Sequence, residues 1–365
     1  MILARLRYAP WEPAVFPFAD DAGSLLIGTS TLRDLQREEA AAAGLELKDV
    51  AADAPLPDGV VAACTLDAVF SRETLAHLMA AARAGGVAQA GLAPGTPLYR
   101  AATRLVDVSG AFSLPLWAGA FAGQTAATAA SPALAFAGGR LVALDDDGSI
   151  RVRVPPYGKP PHVLELPLVR KLGGRVTHWL HALDLSLAAK DTARLRLGLV
   201  DAATGQSRRN LVGKKVNIHP TATVIGSILA DGVRLEQHAS VIGDNCRTLV
   251  DTSLRRVVAM TDSTLSNLGI SDLIVGRNVF LTTSVATFAD PGVDVVVEGK
   301  DTGRAHLGGA IGARCVLGSR ALMKAGTALP PGLLVVARPE EAAGKLDEAG
   351  LARSALMFGN PRDNH

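Results

Sequence analysis

The chain has 365 residues, 48% of them hydrophobic and 20% charged, with a net charge of +2. That composition is globular, long enough for two domains with their own cores, and near-neutral without long runs of like charge, so it carries no electrostatic footprint for nucleic acid or a membrane surface. The three cysteines are an odd number without CxxC spacing, which suits reduced thiols in a cytoplasmic protein. The opening MILARLRYAP shows neither the h-region nor the cleavage site of a signal peptide, and the apolar stretch around 118–138 is Ala/Gly-rich and interrupted by polar residues, too weak for a membrane span.

Residues 1–200 read as an α/β domain with an open, Rossmann-like sheet. Ser24–Ile27 is a short apolar strand. Leu32–Ala43 has helical spacing and stops at Gly44, a natural C-cap. Val60–Thr65 is a strand of β-branched and small residues, followed by Leu66-Asp67 and then Ala68-Val69-Phe70. Ser71 is the expected N-cap, with Glu73 in the first turn, of a helix that runs through Arg83 and ends at Gly85-Gly86. A strand, an aspartate at its C-terminal end and then a helix is where an open α/β sheet places ligand or metal groups. Asp67 is therefore read either as a catalytic or metal-binding carboxylate or as a turn and cap residue. Strands are expected at Arg140–Leu144 and Ile150–Val154, with the place of 111–160 in the sheet left open. Leu164–Leu172 reads as strand or helix, Val176–Lys190 as a helix, and 201–214 (DAATGQSRRNLVGK) as a polar connector.

From 215 to 338 the period changes. Ile311, Leu317, Met323, Leu329 and Val335 stand six residues apart, Gly312 and Gly318 follow the first two, and the fourth residue after each aliphatic is Cys315, Ala321, Thr327 and Leu333. The same phrase occurs upstream as Ile242-Gly243-Asp244-Asn245-Cys246 and Val275-Gly276-Arg277-Asn278-Val279, with Ile218, Val224, Leu235 and Ala239 opening the series. Hexapeptides of this kind predict a left-handed parallel β-helix: each makes one flat side of a triangular coil, the aliphatic fills the prism and Gly, Asp or Asn accepts the turn. Residues 286–307 (ATFADPGVDVVVEGKDTGRAHL) lose the beat and read as a loop or β-hairpin thrown out of the coil, where solenoids often carry their site. Residues 339–365, with a short helix within Pro339–Met357, are expected to cap the open end and trail away.

The order of these parts resembles the sugar-1-phosphate nucleotidyltransferases that carry a C-terminal hexapeptide domain, above all the bifunctional N-acetylglucosamine-1-phosphate uridylyltransferase/acetyltransferase group. The resemblance is carried by IHPTATVIGSILADGV, VIGDNC, Asp262-Ser263 and DTGRAHLGGAIGARCVLGSRALMKAGTALPPG, and more faintly by SLLIGTSTLRDLQREEAAAAGL and TLDAVFSRETLAHLM. It implies a transferase acting on a sugar phosphate or sugar nucleotide, by acyl transfer from acetyl-CoA, nucleotidyl transfer, or both. It also implies a homotrimer through the β-helix, with acetyl-CoA lying between subunits.

The resemblance further implies Mg²⁺ held by two aspartates. Asp67 matches the first, whereas the Trp-x-Asp of the second reads Trp179-Leu180-His181 here, and the Gly-rich phosphate loop has no counterpart in 1–24. In the acyltransferase half, Arg256 stands near the place of the family's basic histidine and cannot accept its proton. His306 replaces the lysine before Leu-Gly and is read either as a relocated base or as a surface histidine. Arg304 keeps a positive charge in the hairpin, and with Arg256, Arg314 and Lys324 it makes the expected set of substrate and CoA contacts. His219, His238 and His306 lack the spacing of a zinc site of the γ-carbonic-anhydrase kind. The departures support a second reading, a catalytically inactive paralogue that binds sugar nucleotide or pairs with an active relative.

Overall fold

The computed structural model describes residues 1–7, 15–18, 20–28, 30–51, 54–108, 110–121, 140–144, 149–154, 162–167 and 170–196, then 211–212, 217–218, 223–224, 228–229, 234–235, 241–243, 246–248, 254–265, 270–282, 285–288, 294–304 and 307–335. The chain forms two units, Met1–Ala14 with Asp21–Leu197, and Val15–Asp20 with Gly198–His365. A short N-terminal segment thus belongs to the second unit.

The first unit runs β1 (Ile2–Arg7), β2 (Leu26–Ile27), β3 (Ser30–Thr31), α1 (Leu32–Ala42), β4 (Glu46–Ala51), β5 (Val60–Thr65), β6 (Ala68–Phe70), α2 (Arg72–Gly85), β7 (Ala88–Leu92), α3 (Pro97–Thr103), β8 (Phe112–Ala118), β9 (Arg140–Leu144), β10 (Ser149–Val154), β11 (His162–Pro167), β12 (Gly173–Arg175) and α4 (Trp179–Arg196). Six strands form a mixed sheet in the order β4-β1-β5-β8-β7-β9. β1 is parallel to β4 and β5, β8 is antiparallel to β5 and β7, and β9 is parallel to β7. Residues 111–160 thus divide: β8 and β9 join the main sheet, while β10 pairs antiparallel with β11 as a separate hairpin. Small residues Ala62, Ala63 and Cys64 of β5 are fully buried where the strand is flanked on both sides.

Caps fix the two helices next to Asp67. The Thr31 hydroxyl accepts the Asp34 amide at the start of α1, and Gly44 takes the left-handed conformation just past its end. Ser71 accepts the Thr74 amide at the start of α2, with Glu73 in the first turn, and Gly86 closes it at φ +86°. No helix among the described residues is long and apolar enough to cross a membrane.

In the second unit the described strands form two long parallel ladders and two short parallel pairs. Leu211–Val212, Ile228–Leu229, Arg247–Thr248, Thr264–Leu265, Phe280–Leu281, Val316–Leu317 and Leu334–Val335 form the first. Thr223–Val224, Val241–Ile242, Leu254–Ala259, Ile270–Val275, Gly309–Ile311 and Thr327–Leu329 form the second. Two further parallel pairs are separate from these and from each other: Asn217–Ile218 with Arg234–Leu235, and Ala286–Phe288 with Leu322–Lys324. The six-residue aliphatics Ile311, Leu317, Met323, Leu329 and Val335 share one buried cluster with Ile242, Val275 and Leu281.

Two boundaries move. Leu211–Val212 already pairs with Ile228–Leu229, so the ladders begin inside what reads as a connector. Ala286–Phe288 pairs with Leu322–Lys324, so the insertion starts after Phe288 and not at 286. The expected cap at 339–365 lies outside the described residues.

Successive coils approach too closely for side chains at certain corners. A Cβ on Gly312 would sit 2.6 Å from Pro17 O and Pro331 N and 2.8 Å from Leu329 O, all backbone atoms that cannot rotate away. Overpacking of this kind typically costs about 1–3 kcal/mol. We expect Gly312→Ala to lower the urea midpoint by a corresponding amount with an unchanged m-value; an unaltered midpoint would mean that the coils are not stacked this tightly.

Candidate functional site

Asp67 sits in the turn between β5 and β6 and is 5% exposed. Its carboxylate is occupied on both oxygens: the Thr65 hydroxyl donates to Oδ1, and Arg175 Nε donates to Oδ2 at 2.6 Å. The arginine arrives because β12 pairs antiparallel with β6, setting Arg175 opposite Ala68, and the Val176 amide donates to the Asp67 carbonyl. From the other side Gln36 of α1 holds the same turn, its amide nitrogen shared among the carbonyls of Thr65, Leu66 and Ala68 at 3.0, 3.1 and 2.8 Å. Glu39, one helical turn on, accepts the Arg72 amide at the start of α2 at 2.6 Å.

Gln36 also links this turn to β1. Arg5, 4% exposed, donates to Gln36 Oε1 at 3.4 Å and grips Asp49 of β4 with two nitrogens at 2.5 and 2.8 Å. That fork, the geometry in which guanidinium and carboxylate match best, holds the Asp49 carboxyl below its usual range. Sequence reading missed Gln36, Arg5 and Arg175. Gln36 left a trace: the buried stripe of α1 is Leu32, Gln36, Glu39 and Ala40, two polar residues at apolar spacing.

His181, which stands where the resemblance wants a second aspartate, is 2% exposed. Its Nε2 lies 2.7 Å from the Arg104 carbonyl, which can only accept, so Nε2 carries the proton. Nδ1 is then the acceptor for the Thr177 hydroxyl at 3.2 Å. Burial drives the imidazole pKa below 6.5, with the Arg104 carbonyl working against it. Arg104 itself pairs with Asp184 on the next turn of α4, at 3.2 Å. His181 is therefore a neutral tie between α4 and the end of α3, with both ring nitrogens engaged. Below pH 6.5 the unfolded chain binds a proton that the folded imidazole resists, so stability falls by about 1.4 kcal/mol per pH unit until the folded pKa is reached. We expect acid unfolding profiles to show this slope, and His181→Gln, which keeps a donor and an acceptor, to flatten it; equal slopes in both proteins would refute the assignment.

In the coils, Arg256 and Arg314 occupy different corners. Arg256 (φ +53°) stacks beneath Asp272 (φ +52°) of the next coil and donates to its carboxylate at 2.6 Å. Arg314 (φ +59°) is exposed at the corner that leads into Val316–Leu317. Of the four expected contact residues, Arg304 and Lys324 belong to the neighbourhood of the insertion. Val296–Val297 and Lys300–Asp301 pair antiparallel across Glu298 (φ +50°) and Gly299 (φ +77°), a two-residue hairpin of the primed type.

The hairpin folds back on the coil. A Cβ on Gly326 would meet Val295 Cγ1 and Val297 Cγ2 at 2.9 Å, and both valines are buried. Thr302 closes the hairpin's base on the Val295 carbonyl at 2.7 Å, where Arg304 O accepts the Val295 amide at 2.7 Å. Arg304 is half-buried, Lys324 exposed, and Lys300 exposed on the hairpin strand. His306, His219 and His238 lie outside the described residues.

No protein-family model matches the chain, and no curated protein matches it. The donor set at Asp67 does not fit a hard divalent cation. Such ions want several oxygen ligands, whereas here the carboxylate already faces the permanent positive charge of Arg175, and no group of three His, Cys, Asp or Glu side chains suited to a metal occurs among the described residues.

Proposed function

We propose that the protein is a transferase that moves an acyl group from acetyl-CoA to a sugar phosphate or sugar nucleotide, with its C-terminal unit a left-handed parallel β-helix. The observation that carries this reading is the hairpin held against the coils: Val295 and Val297 pack at Gly326, and the hairpin carries Arg304 and Lys300 among the acids Asp294, Glu298 and Asp301, with Lys324 two residues before Gly326. Guanidinium and ammonium groups beside a shaped apolar ledge suit a phosphorylated carrier. In this reading His306, two residues beyond Arg304, takes the proton from the acceptor amine or hydroxyl as the thioester carbonyl is attacked, and the CoA thiolate leaves.

The ladders also support assembly through one particular face. Along the second ladder the partners Val241, Val258, Ile274 and Ala310 alternate with the inward-facing aliphatics yet are 0% exposed, so that face is already covered. Along the first ladder Phe280 is 43% exposed, with Val316 and Leu334 half-buried in the same column. An apolar column of this kind on a flat face favours a symmetric association, and a homotrimer closes it.

Purified protein incubated with acetyl-CoA and a panel of sugar 1-phosphates and sugar nucleotides should release free CoA thiol with at least one acceptor. His306→Ala should lower that rate by at least about 100-fold, the scale of a lost general base. Folded protein that releases no thiol with any acceptor, yet melts higher with a sugar nucleotide, would replace this reading with the second one, an inactive binder. The Arg175 guanidinium on Asp67 favours that second reading for the N-terminal unit. Light scattering should give a trimer mass for the wild type and a monomer mass for Phe280→Glu; a monomeric wild type at micromolar concentration would sink the assembly.

A further inference from the structure

The mismatch at Asp67 has a specific form. We propose that Arg175 takes the place of a divalent cation on Asp67, so that the N-terminal unit is built to work without metal.

The argument rests on how completely the carboxylate is engaged. Asp67 lies at the C-terminal end of β5, beside a parallel neighbour strand, where open α/β sheets present ligand-binding groups. Left alone there at 5% exposure, a carboxylate would need a counter-charge. Arg175 supplies a permanent one at 2.6 Å, from a side chain that is 28% exposed.

The placement is over-determined. Arg175 is held on its backbone by the antiparallel β12–β6 pairing, and Asp67 by the Val176 amide on its carbonyl. The turn is held by Gln36 and the second carboxylate oxygen by Thr65. The potential ligands of α4, the helix that follows β12, are spent in the same manner. Asp184 is paired with Arg104 at 3.2 Å, and His181 has both nitrogens committed to Arg104 O and Thr177. Each acid near the start of α4 has an arginine, and the imidazole is neutral and saturated. A divalent cation on Asp67 would have to displace the Arg175 guanidinium or sit against its like charge.

Thermal melting and Mn²⁺ electron paramagnetic resonance on the full-length protein test this without reference to any activity. The wild type should melt at the same temperature with and without millimolar Mg²⁺ or Mn²⁺ and leave the free-Mn²⁺ signal undiminished. Arg175→Gln should melt lower in the absence of metal, recover part of the loss when Mn²⁺ is added, and reduce the free-Mn²⁺ signal. Arg175→Lys, which keeps a cation, should remain indifferent to metal, and the double variant Asp67→Asn with Arg175→Gln should lose the response again. A wild type that takes up Mn²⁺ in a manner abolished by Asp67→Asn overturns the proposal. So does a folded Arg175→Gln protein that ignores metal. If Arg175→Gln fails to fold, Arg175→Met keeps the apolar stem and carries the same two outcomes. These results stand apart from the acyl-transfer reading, whose assay reads thiol release.

Discussion

Each coil of the C-terminal unit must reverse direction at a corner within a few residues, and the coil before it sets the conformation that does so. Three residues after the buried Ala259, Val275, Ile311 and Leu329 come Asp262, Asn278, Arg314 and Gly332, all at positive φ: 60°, 55°, 59° and 74°. For non-glycine residues this costs on the order of 1–2 kcal/mol each. The cost is met by stacking. The amides of Asn278, Arg314 and Gly332 each donate to a carbonyl one coil back: Thr261, Arg277 and Ala313, at 3.1, 2.8 and 2.8 Å. The next position, buried, turns a small polar side chain onto the corner of the following coil: Cys246 Sγ to Met260 O, Ser263 Oγ to Gly276 O, Cys315 Sγ to Pro330 O, at 2.8, 2.9 and 3.1 Å. Without the neighbouring parallel strands these strained turns lose the hydrogen bonds that hold them.

That stacking explains what the sequence shows and what it conceals. A strict six-residue beat is legible because each coil repeats the same packing problem, so Ile311 to Val335 announce themselves, as does Cys315 in the small position. Its thiol's role as a donor leaves no mark, because Val279 and Leu333 fill the same position with no donor at all. The second left-handed corner, Arg256 over Asp272, is hidden for a similar reason: an oppositely charged pair sixteen residues apart is one coil apart only once the register is known. In the first unit β1 carries Arg5 at a buried position, so LARLR does not alternate like a core strand although it lies inside the sheet. β8 contains Pro115, an unlikely residue between two neighbours. Its ladder with β7 shifts register there, and Gln89 reaches across to the Leu114 carbonyl at 3.0 Å.

The aspartate at the end of β5 was visible from strand, acid and helix in order, but its use was not. A sequence shows which acids exist and not which arginines fold onto them. Arg175 follows two glycines that pack against leucine side chains. A Cβ on Gly173 would sit 2.5 Å from Leu144 Cδ1, and one on Gly174 2.5 Å from Leu185 Cδ2. The pairing of β12 with β6 carries the guanidinium to Asp67.

Such pairing is not chosen for stability alone. Buried ion pairs are frequently no better than well-packed apolar groups of the same size, since each charge must first be stripped of water. What they confer is exclusivity: an acid that has lost one partner is costly to leave alone, so a competing geometry is penalised. In the first unit Arg5 with Asp49, Arg104 with Asp184 and Arg175 with Asp67 each join elements distant in sequence, β1 to β4, the end of α3 to α4, and β12 to the β5 turn. They fix those elements in register across a sheet whose small core residues, Ala62, Ala63 and Ala90 among them, offer little shape to specify it. In each of these pairs the charge serves the fold by tying one element to another.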